Sequence, residues 1–154
     1  VVTASRDLML APRSGLTIPA FEMLDAFFDL TYAYRFGPPG HSVTSARLTD
    51  VVTGETLAEA FHFPQGRGNS RETLGLSATR VEQDGDWFLD IATARFAQSV
   101  HLVDENWRTS DNWFHLAPGT AKRVKLIARE GREKHAPTGE IRAVNGWDIA
   151  RYGG

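Results

Sequence analysis

The strongest constraint on the fold is a run in which apolar side chains recur at every second position. Trp87, Leu89 and Ile91 form such a run directly after an Asp84-Gly85 step. A period of two places alternate side chains on one face of a β-strand, and an Asp-Gly step is a strong signal for a tight hairpin turn. Residues 74–94 are therefore predicted to form a β-hairpin. Helical spacing is much weaker along the chain, which predicts an all-β protein.

The same alternation, interrupted by turn residues, predicts strands in both halves of the chain. A helical alternative over residues 21–30 is short and rich in phenylalanine, so a strand is favoured there as well. The other predicted strands cover residues 16–24, 30–36, 43–50, 56–63, 100–102, 114–116, 124–128 and 141–144. The predicted core of the second half consists of Trp87, Leu89, Ile91, Val100, Phe114, Leu116, Val124 and Leu126.

A polar stretch at residues 64–71 contains no aliphatic or aromatic side chain, which is linker composition. An immunoglobulin-like β-sandwich needs about seven strands, and only the part after the linker approaches that number. Residues 72–146 are therefore predicted to be an immunoglobulin-like β-sandwich. Residues 1–68 are predicted to be the remaining strands of a second β-sandwich, truncated at its start. Residues 147–154 are predicted to be a tail.

Composition excludes several classes of protein. Seventeen basic and nineteen acidic residues give a net charge of −2, which does not favour a nucleic-acid partner. The absence of cysteine excludes disulfides and thiolate zinc sites. No apolar run approaches the roughly 20 residues of a membrane-spanning helix, and the start lacks a signal-peptide pattern. We expect a soluble piece of a longer polypeptide, in the cytoplasm or periplasm of a bacterium, with the compartment left open.

Three segments carry a resemblance to a known family. They are the Phe-Ala-Gln-Ser-Val segment at 96–100, the Ser-Asp-Asn-Trp-Phe-His-Leu-Ala-Pro-Gly segment at 110–119, and the alternating run that ends at Leu126. From Trp87 onward the sequence resembles the C-terminal immunoglobulin-like domain of β-mannosidases of glycoside hydrolase family 2. Residues 41–63 are similar to the closing strands of the preceding sandwich in the same enzymes.

The resemblance implies a module without an active site. In that family two catalytic glutamates lie on an upstream (β/α)8 barrel, and nothing in this chain resembles the barrel motifs. The implied function is that of a C-terminal β-sandwich region of a retaining β-mannosidase-like enzyme, with no catalytic residue, metal or cofactor of its own. Its implied partners are the barrel and sandwich domains of the same polypeptide and, through the parent enzyme, a mannoside. A free-standing carbohydrate-binding or adhesive sandwich is the alternative.

Four groups of polar residues could be proposed as sites, but each has a simpler interpretation. The neighbours Asp104-Glu105, and Asp84 with Asp86, are typical of solvated turns. His101 and His115 lack a third metal ligand nearby in sequence. The basic run at 122–125 alternates with apolar residues and is expected to be a solvated strand face, with its charges balanced by Glu130 and Glu133. The Asp111-Asn112 pair is expected to organise a turn.

Two of the four tryptophans are candidates for contact with a sugar or a neighbouring domain. Trp107 lies in a polar stretch beside Asn106 and Arg108, which predicts an exposed loop position. Trp113 must face outward if Phe114 faces the core. Both are predicted to lie outside the core of the second sandwich, with a domain contact favoured over a sugar contact for Trp107.

Overall fold

The chain forms two compact units, Val1–Gly68 and Asn69–Gly154. The computed structural model describes residues 2–24, 27–33, 36–67, 70–132 and 135–153. The boundary between the units falls inside the predicted polar linker. Within the described residues no helix is both long enough and apolar enough to span a membrane. The chain is all-β, as predicted, with one short 3-10 helix and ten strands in the described residues.

The first unit contains one antiparallel hairpin among its described residues. Strand β1 (Thr44–Thr49) pairs with β2 (Thr56–His62), close to the predicted strands at 43–50 and 56–63. Asp50 caps the connecting turn, because its Oδ1 accepts the backbone N–H groups of Val52 and Thr53, both at 2.8 Å. These two hydrogen bonds hold the pKa of Asp50 below its ordinary value.

The strands predicted earlier in this unit are wrong where the structure describes them. The segment 16–24 contains a 3-10 helix, Ala20–Met23, instead of a strand. No strand is assigned to the described part of 30–36; residues 34 and 35 lie outside the described residues. The apolar residues of these segments are largely exposed, so alternation there has no second layer to pack against.

The second unit is a sandwich of two four-stranded sheets. One sheet has the order β3-β4-β8-β6 and the other β10-β9-β5-β7, and every pairing is antiparallel. The strands are β3 (Ser77–Gln83), β4 (Asp86–Ala92), β5 (Ala97–Val103), β6 (Trp107–Thr109), β7 (Phe114–Leu116), β8 (Ala121–Ala128), β9 (Gly139–Arg142) and β10 (Ala150–Tyr152).

The predicted hairpin is formed by β3 and β4. Asp84 and Gly85 connect the strands, and both have positive φ angles, 54° and 81°. Two central residues with positive φ match the twist of the flanking strands, which explains why an Asp-Gly step selects this turn. The predicted register is confirmed, because Leu89 and Ile91 are buried while Asp90 points to the outer face and pairs with Arg123.

The core lies between the two sheets. Of the eight predicted core residues, six are fully buried, and Trp87 and Phe114 are partly buried and pack against them. Further residues from the beginning, the end and the edge strand β6 of the unit complete the core. They include Leu74, Leu76, Trp107, Ile141, Ala143, Ala150 and Tyr152.

Two strands escaped the sequence prediction, and one of them corrects the predicted tail. Ala150–Tyr152 pairs with β9 and buries Ala150 and Tyr152, so these residues belong to the sandwich. The second is β6, which forms the edge of the other sheet beside β8. Both strands have three residues, too few for a pattern of period two to be recognised.

Candidate functional site

Trp107 is buried, and its predicted exposure is wrong. It lies in the core cluster with 6% of its surface exposed, and its Nε1–H donates to the backbone carbonyl of His135 at 2.9 Å. Its polar neighbours belong to an edge strand on which Trp107 faces inward and Arg108 outward. A buried indole whose N–H has a partner is a structural residue, so Trp107 is removed from the candidate contacts.

Trp113 lies outside the core, as predicted, with 59% of its surface exposed. Its indole stacks on the imidazole of His101, with ring centroids 4.3 Å apart and an interplanar angle of 11°. The imidazole thus covers one face of the indole and leaves the other face toward solvent. The role of Trp113 as a contact residue stays a prediction.

The backbone holds Trp113 in an uncommon conformation. Its φ angle is 64°, in the left-handed region that bulky residues rarely adopt. Asn112 stabilises this turn, because its Oδ1 accepts the backbone N–H of Trp113 at 3.0 Å and that of Leu102 at 3.1 Å. The expected turn-forming role of Asn112 is confirmed, and the second bond ties the turn to β5.

Trp147 is an exposed tryptophan that the sequence-based prediction missed. It is 67% exposed, and the guanidinium of Arg71 lies 5.3 Å from its ring centroid. Its backbone N–H donates to the carbonyl of Glu72 at 3.1 Å, which fixes it beside the first residues of the unit. Trp147 lies between Gly146, a turn-forming residue, and the polar Asp148. A tryptophan among polar neighbours is the signal that predicts exposure for Trp107, and the same signal could have identified Trp147.

The acidic residues singled out from the sequence have structural roles. Asp104 accepts the backbone N–H groups of Asn106 and Trp107 through Oδ1 and the phenol of Tyr152 through Oδ2, at 2.8, 3.0 and 2.9 Å. Asp86 pairs with Lys125 at the end of the β3–β4 hairpin. These contacts confirm the interpretation of both groups as turns.

Two acidic residues not considered from the sequence are also held by strong partners. Arg123 donates to both carboxylate oxygens of Asp90, at 2.6 and 2.7 Å, and these hydrogen bonds lower the pKa of Asp90. Partial burial raises the pKa of Asp148, but the backbone N–H groups of Leu74 and Leu76 outweigh it and leave the pKa below its ordinary value.

His101 and His115 have separate partners in the structure. Nδ1 of His115 accepts the backbone N–H of Ser99 at 2.9 Å, whereas His101 is stacked on Trp113. Nowhere in the described ranges do three His, Asp or Glu side chains cluster as metal ligands would.

In the described part of the chain, the basic run of β8 is neutralised by aspartates and not by the expected Glu130. Lys122 pairs with Asp111, Arg123 with Asp90, and Lys125 with Asp86. The residue Glu133 lies outside the described residues. Strand pairing places β4 beside β8, so Asp86 and Asp90 lie close to Lys125 and Arg123, whereas Asp111 comes from the segment before β7. A strand face balanced in this way lacks the excess positive charge that binding to phosphates needs.

The model of the Ig_mannosidase family, described as an Ig-fold domain, matches residues 72–149. This chain belongs to the Ig_mannosidase family. The match lies within the second unit and confirms the resemblance drawn from Trp87 onward, while the resemblance of residues 41–63 stays a prediction. No curated protein and no solved structure matches the chain.

Membership in the Ig_mannosidase family places both exposed tryptophans inside the family domain. Trp113 and Trp147 fall within the matched residues, whereas β10 lies just beyond them. The second unit is therefore an immunoglobulin-fold domain. Fold alone does not define function, so the function must be sought in its exposed residues.

Proposed function

We propose that this chain is a non-catalytic β-sandwich region of a glycoside hydrolase related to the retaining β-mannosidases of family 2. In this proposal it supports a (β/α)8 catalytic barrel carried elsewhere in the same polypeptide. The observation that carries the proposal is the match of residues 72–149 to the Ig_mannosidase family.

The partners of the carboxylates favour a structural role for this chain over a catalytic one. Retaining hydrolysis needs two carboxyl groups about 5–5.5 Å apart across the bond that is cleaved. In the second unit Asp90 is held by Arg123, Asp104 by Tyr152, and Asp148 by backbone N–H groups. Carboxylates bound in this way stabilise the fold and are poor candidates for proton transfer or nucleophilic attack.

The proposed partners are the barrel and sandwich domains of the parent polypeptide. A β-mannoside is the proposed substrate of that parent, and neither a nucleic acid nor a membrane is proposed as a partner. Trp147 is the proposed contact to another domain, because burial of an exposed tryptophan can remove about 150–250 Å² of surface. Its neighbour Arg71 supplies a cation at the rim of the same surface.

The first test is an activity measurement with a chromogenic β-mannoside. We expect this chain alone to hydrolyse the substrate at the buffer rate, and the complete polypeptide to hydrolyse it faster. Turnover by this chain that a single Asp or Glu substitution abolishes would contradict the proposal.

The second test measures support directly. In the complete polypeptide Trp147→Ala should cost about 1–3 kcal/mol of stability at the domain contact, while the melting temperature of this chain alone changes little. Trp113→Ala serves as the matched control, since it removes an equally large exposed side chain elsewhere. An equal loss in both variants, or in neither, would contradict the assignment of Trp147.

A further inference from the structure

The outer face of the sheet β10-β9-β5-β7 carries one large aromatic surface among charged residues. Val100 faces the core, so His101 and Val103 point outward, and Arg142 lies opposite His101 in the β5–β9 register. Trp113 stacks on His101 at the β7 side of this face. We call Trp113 and His101 together the aromatic platform.

We propose that the aromatic platform is a binding subsite for a hexopyranose unit of an oligosaccharide. A pyranose ring whose axial C–H bonds gather on one side presents a flat apolar face with hydroxyl groups at its rim. The uncovered face of Trp113 matches the apolar face in shape and polarity. The proposal stands independently of the proposed function, because a supporting module needs no affinity for sugar.

The platform is rigid before any ligand arrives. Asn112 bonds the backbone of both Trp113 and Leu102, and the imidazole of His101 backs the indole. A bulky residue at a φ of 64° is strained, and such strain concentrates at binding sites where the surroundings hold it in place. A preorganised aromatic ring loses little conformational entropy on binding, which raises affinity.

The charges around the platform favour a neutral polar ligand. Arg142 and Arg151 share a single carboxylate, that of Glu140, so this part of the face carries excess positive charge. This positive charge would repel a cationic ligand that approaches the indole face. The guanidinium groups can instead donate hydrogen bonds to hydroxyl oxygens at the rim of a sugar.

The same surroundings disfavour a large protein interface centred on the platform. The centre of a protein interface is depleted of charged residues and rich in apolar contacts. Here the outward neighbours on β9 and β10 are Glu140, Arg142 and Arg151, and Val103 on β5 extends the apolar area. A single aromatic ring among hydrogen-bonding groups fits one sugar ring better than a protein surface.

The test is a titration of this chain with mannopentaose and cellopentaose, followed by calorimetry and by tryptophan fluorescence. We expect binding in the millimolar range or tighter for at least one of them. Trp113→Ala should weaken it by about tenfold or more, which corresponds to about 1.4 kcal/mol. Trp147→Ala is the matched control and should leave the affinity unchanged.

Two further arms keep the proposal open to refutation. Trp113→Phe retains an aromatic face and should recover part of the affinity if the Ala variant proves unstable. No binding of either oligosaccharide in the millimolar range overturns the proposal, as does an equal loss in Trp113→Ala and Trp147→Ala. Binding of a single-stranded oligonucleotide at Trp113 in place of both sugars also overturns it.

Discussion

The β1–β2 hairpin of the first unit and the β3–β4 hairpin of the second are built from similar local features. Each has strands of six or seven residues, and each unit carries cross-strand ion pairs, Arg47–Glu59 in the first and Arg123–Asp90 in the second. Their burial differs completely. Leu89 on β4 is fully buried, whereas Leu57 on β2 is 59% exposed. The local sequence pattern is therefore sufficient for a hairpin. Its apolar side chains form a core only where a second sheet packs against them.

The first unit extends the same lesson. Among its described residues Ala33 is the only buried one, while Met9, Phe27 and Phe36 are each more than four-fifths exposed. Exposed apolar side chains and open strand edges are normally covered by partner domains. That residues 1–68 are the remaining strands of a second sandwich stays a prediction, and this exposure is consistent with it.

The largest effect is expected from truncation of a core side chain. Leu89→Ala should lower the free energy of unfolding of the second unit by about 2–5 kcal/mol, because it leaves a cavity between the sheets. Leu57→Ala in the exposed hairpin should change stability by less than about 0.5 kcal/mol. All four tryptophans lie in the second unit, so urea unfolding followed by fluorescence reports on that unit, and amide exchange reports on β1 and β2. Similar losses in the two variants would show that the first unit has a core of its own.

The next largest effect on stability is expected at Asp148, whose carboxylate joins the first and last segments of the sandwich. Asp148→Ala removes the acceptor for the N–H groups of Leu74 and Leu76 and should cost about 1.5–3 kcal/mol. Asp86→Ala, at an exposed turn, should cost less than about 1 kcal/mol. Equal losses from the two substitutions, measured by thermal unfolding, would remove the distinction between them.

The carboxylate of Asp148 also makes the stability of the second unit depend on pH in the acid range. Its folded pKa lies below the ordinary value of 3.8, so its contribution is complete above that value and disappears as the pH falls through the lowered pKa. Asp148→Asn should therefore flatten the acid side of the stability curve. An unchanged acid slope in Asp148→Asn would count against this assignment.

A smaller effect is expected at the last strand. Tyr152→Phe removes the hydrogen bond to Asp104 and should cost about 1 kcal/mol at neutral pH. Burial, with the hydrogen bond to Asp104, raises the pKa of Tyr152, so the folded chain keeps a proton that the unfolded chain loses above about pH 10. Stability should fall as the pH rises beyond that point, and the Phe variant should fall less steeply. Identical alkaline melting curves for the two proteins would show that the phenol is not buried.

The smallest effect is expected from surface ion pairs, which should not distinguish the units. Arg47→Ala in the first hairpin and Lys125→Ala in the second each remove one exposed partner. Each should change stability by about 0.2–1 kcal/mol, and less at high salt. A loss well above that range at Arg47 would mean that the first hairpin depends on electrostatics instead of packing.

The sequence predicted the parts of the fold that local chemistry determines. The Asp84-Gly85 turn and the alternation through Leu89 and Ile91 are local, and both predictions are confirmed. Trp107 could not be placed in the same way, because its burial depends on β8 beside it and on the carbonyl of His135, distant in sequence. Local polarity predicted a loop where tertiary pairing made a buried edge strand.

The candidate site shows the same limit. Trp113 was predicted to face outward from the inward position of Phe114, which needs only the period of two. Its stacking on His101 needs the pairing of β5 with β7, and nothing in the local sequence indicates it. The strand Ala150–Tyr152 was missed for a related reason, since three residues become a strand only beside β9.

The contacts that join the first and last segments of the sandwich also affect how this unit folds during synthesis. Glu72 bridges to Gly146, and Asp148 holds Leu74 and Leu76, so the first and last segments of the unit stabilise each other. A ribosome delivers residues 74–142 before the segment that closes them, although the β3–β4 hairpin can form as soon as it emerges. Until residues 146–152 have emerged, the nascent sandwich exposes the edge of β9 and part of its core. We therefore expect this unit to complete its folding late in synthesis. During that interval a chaperone that shields apolar surface can bind the nascent chain.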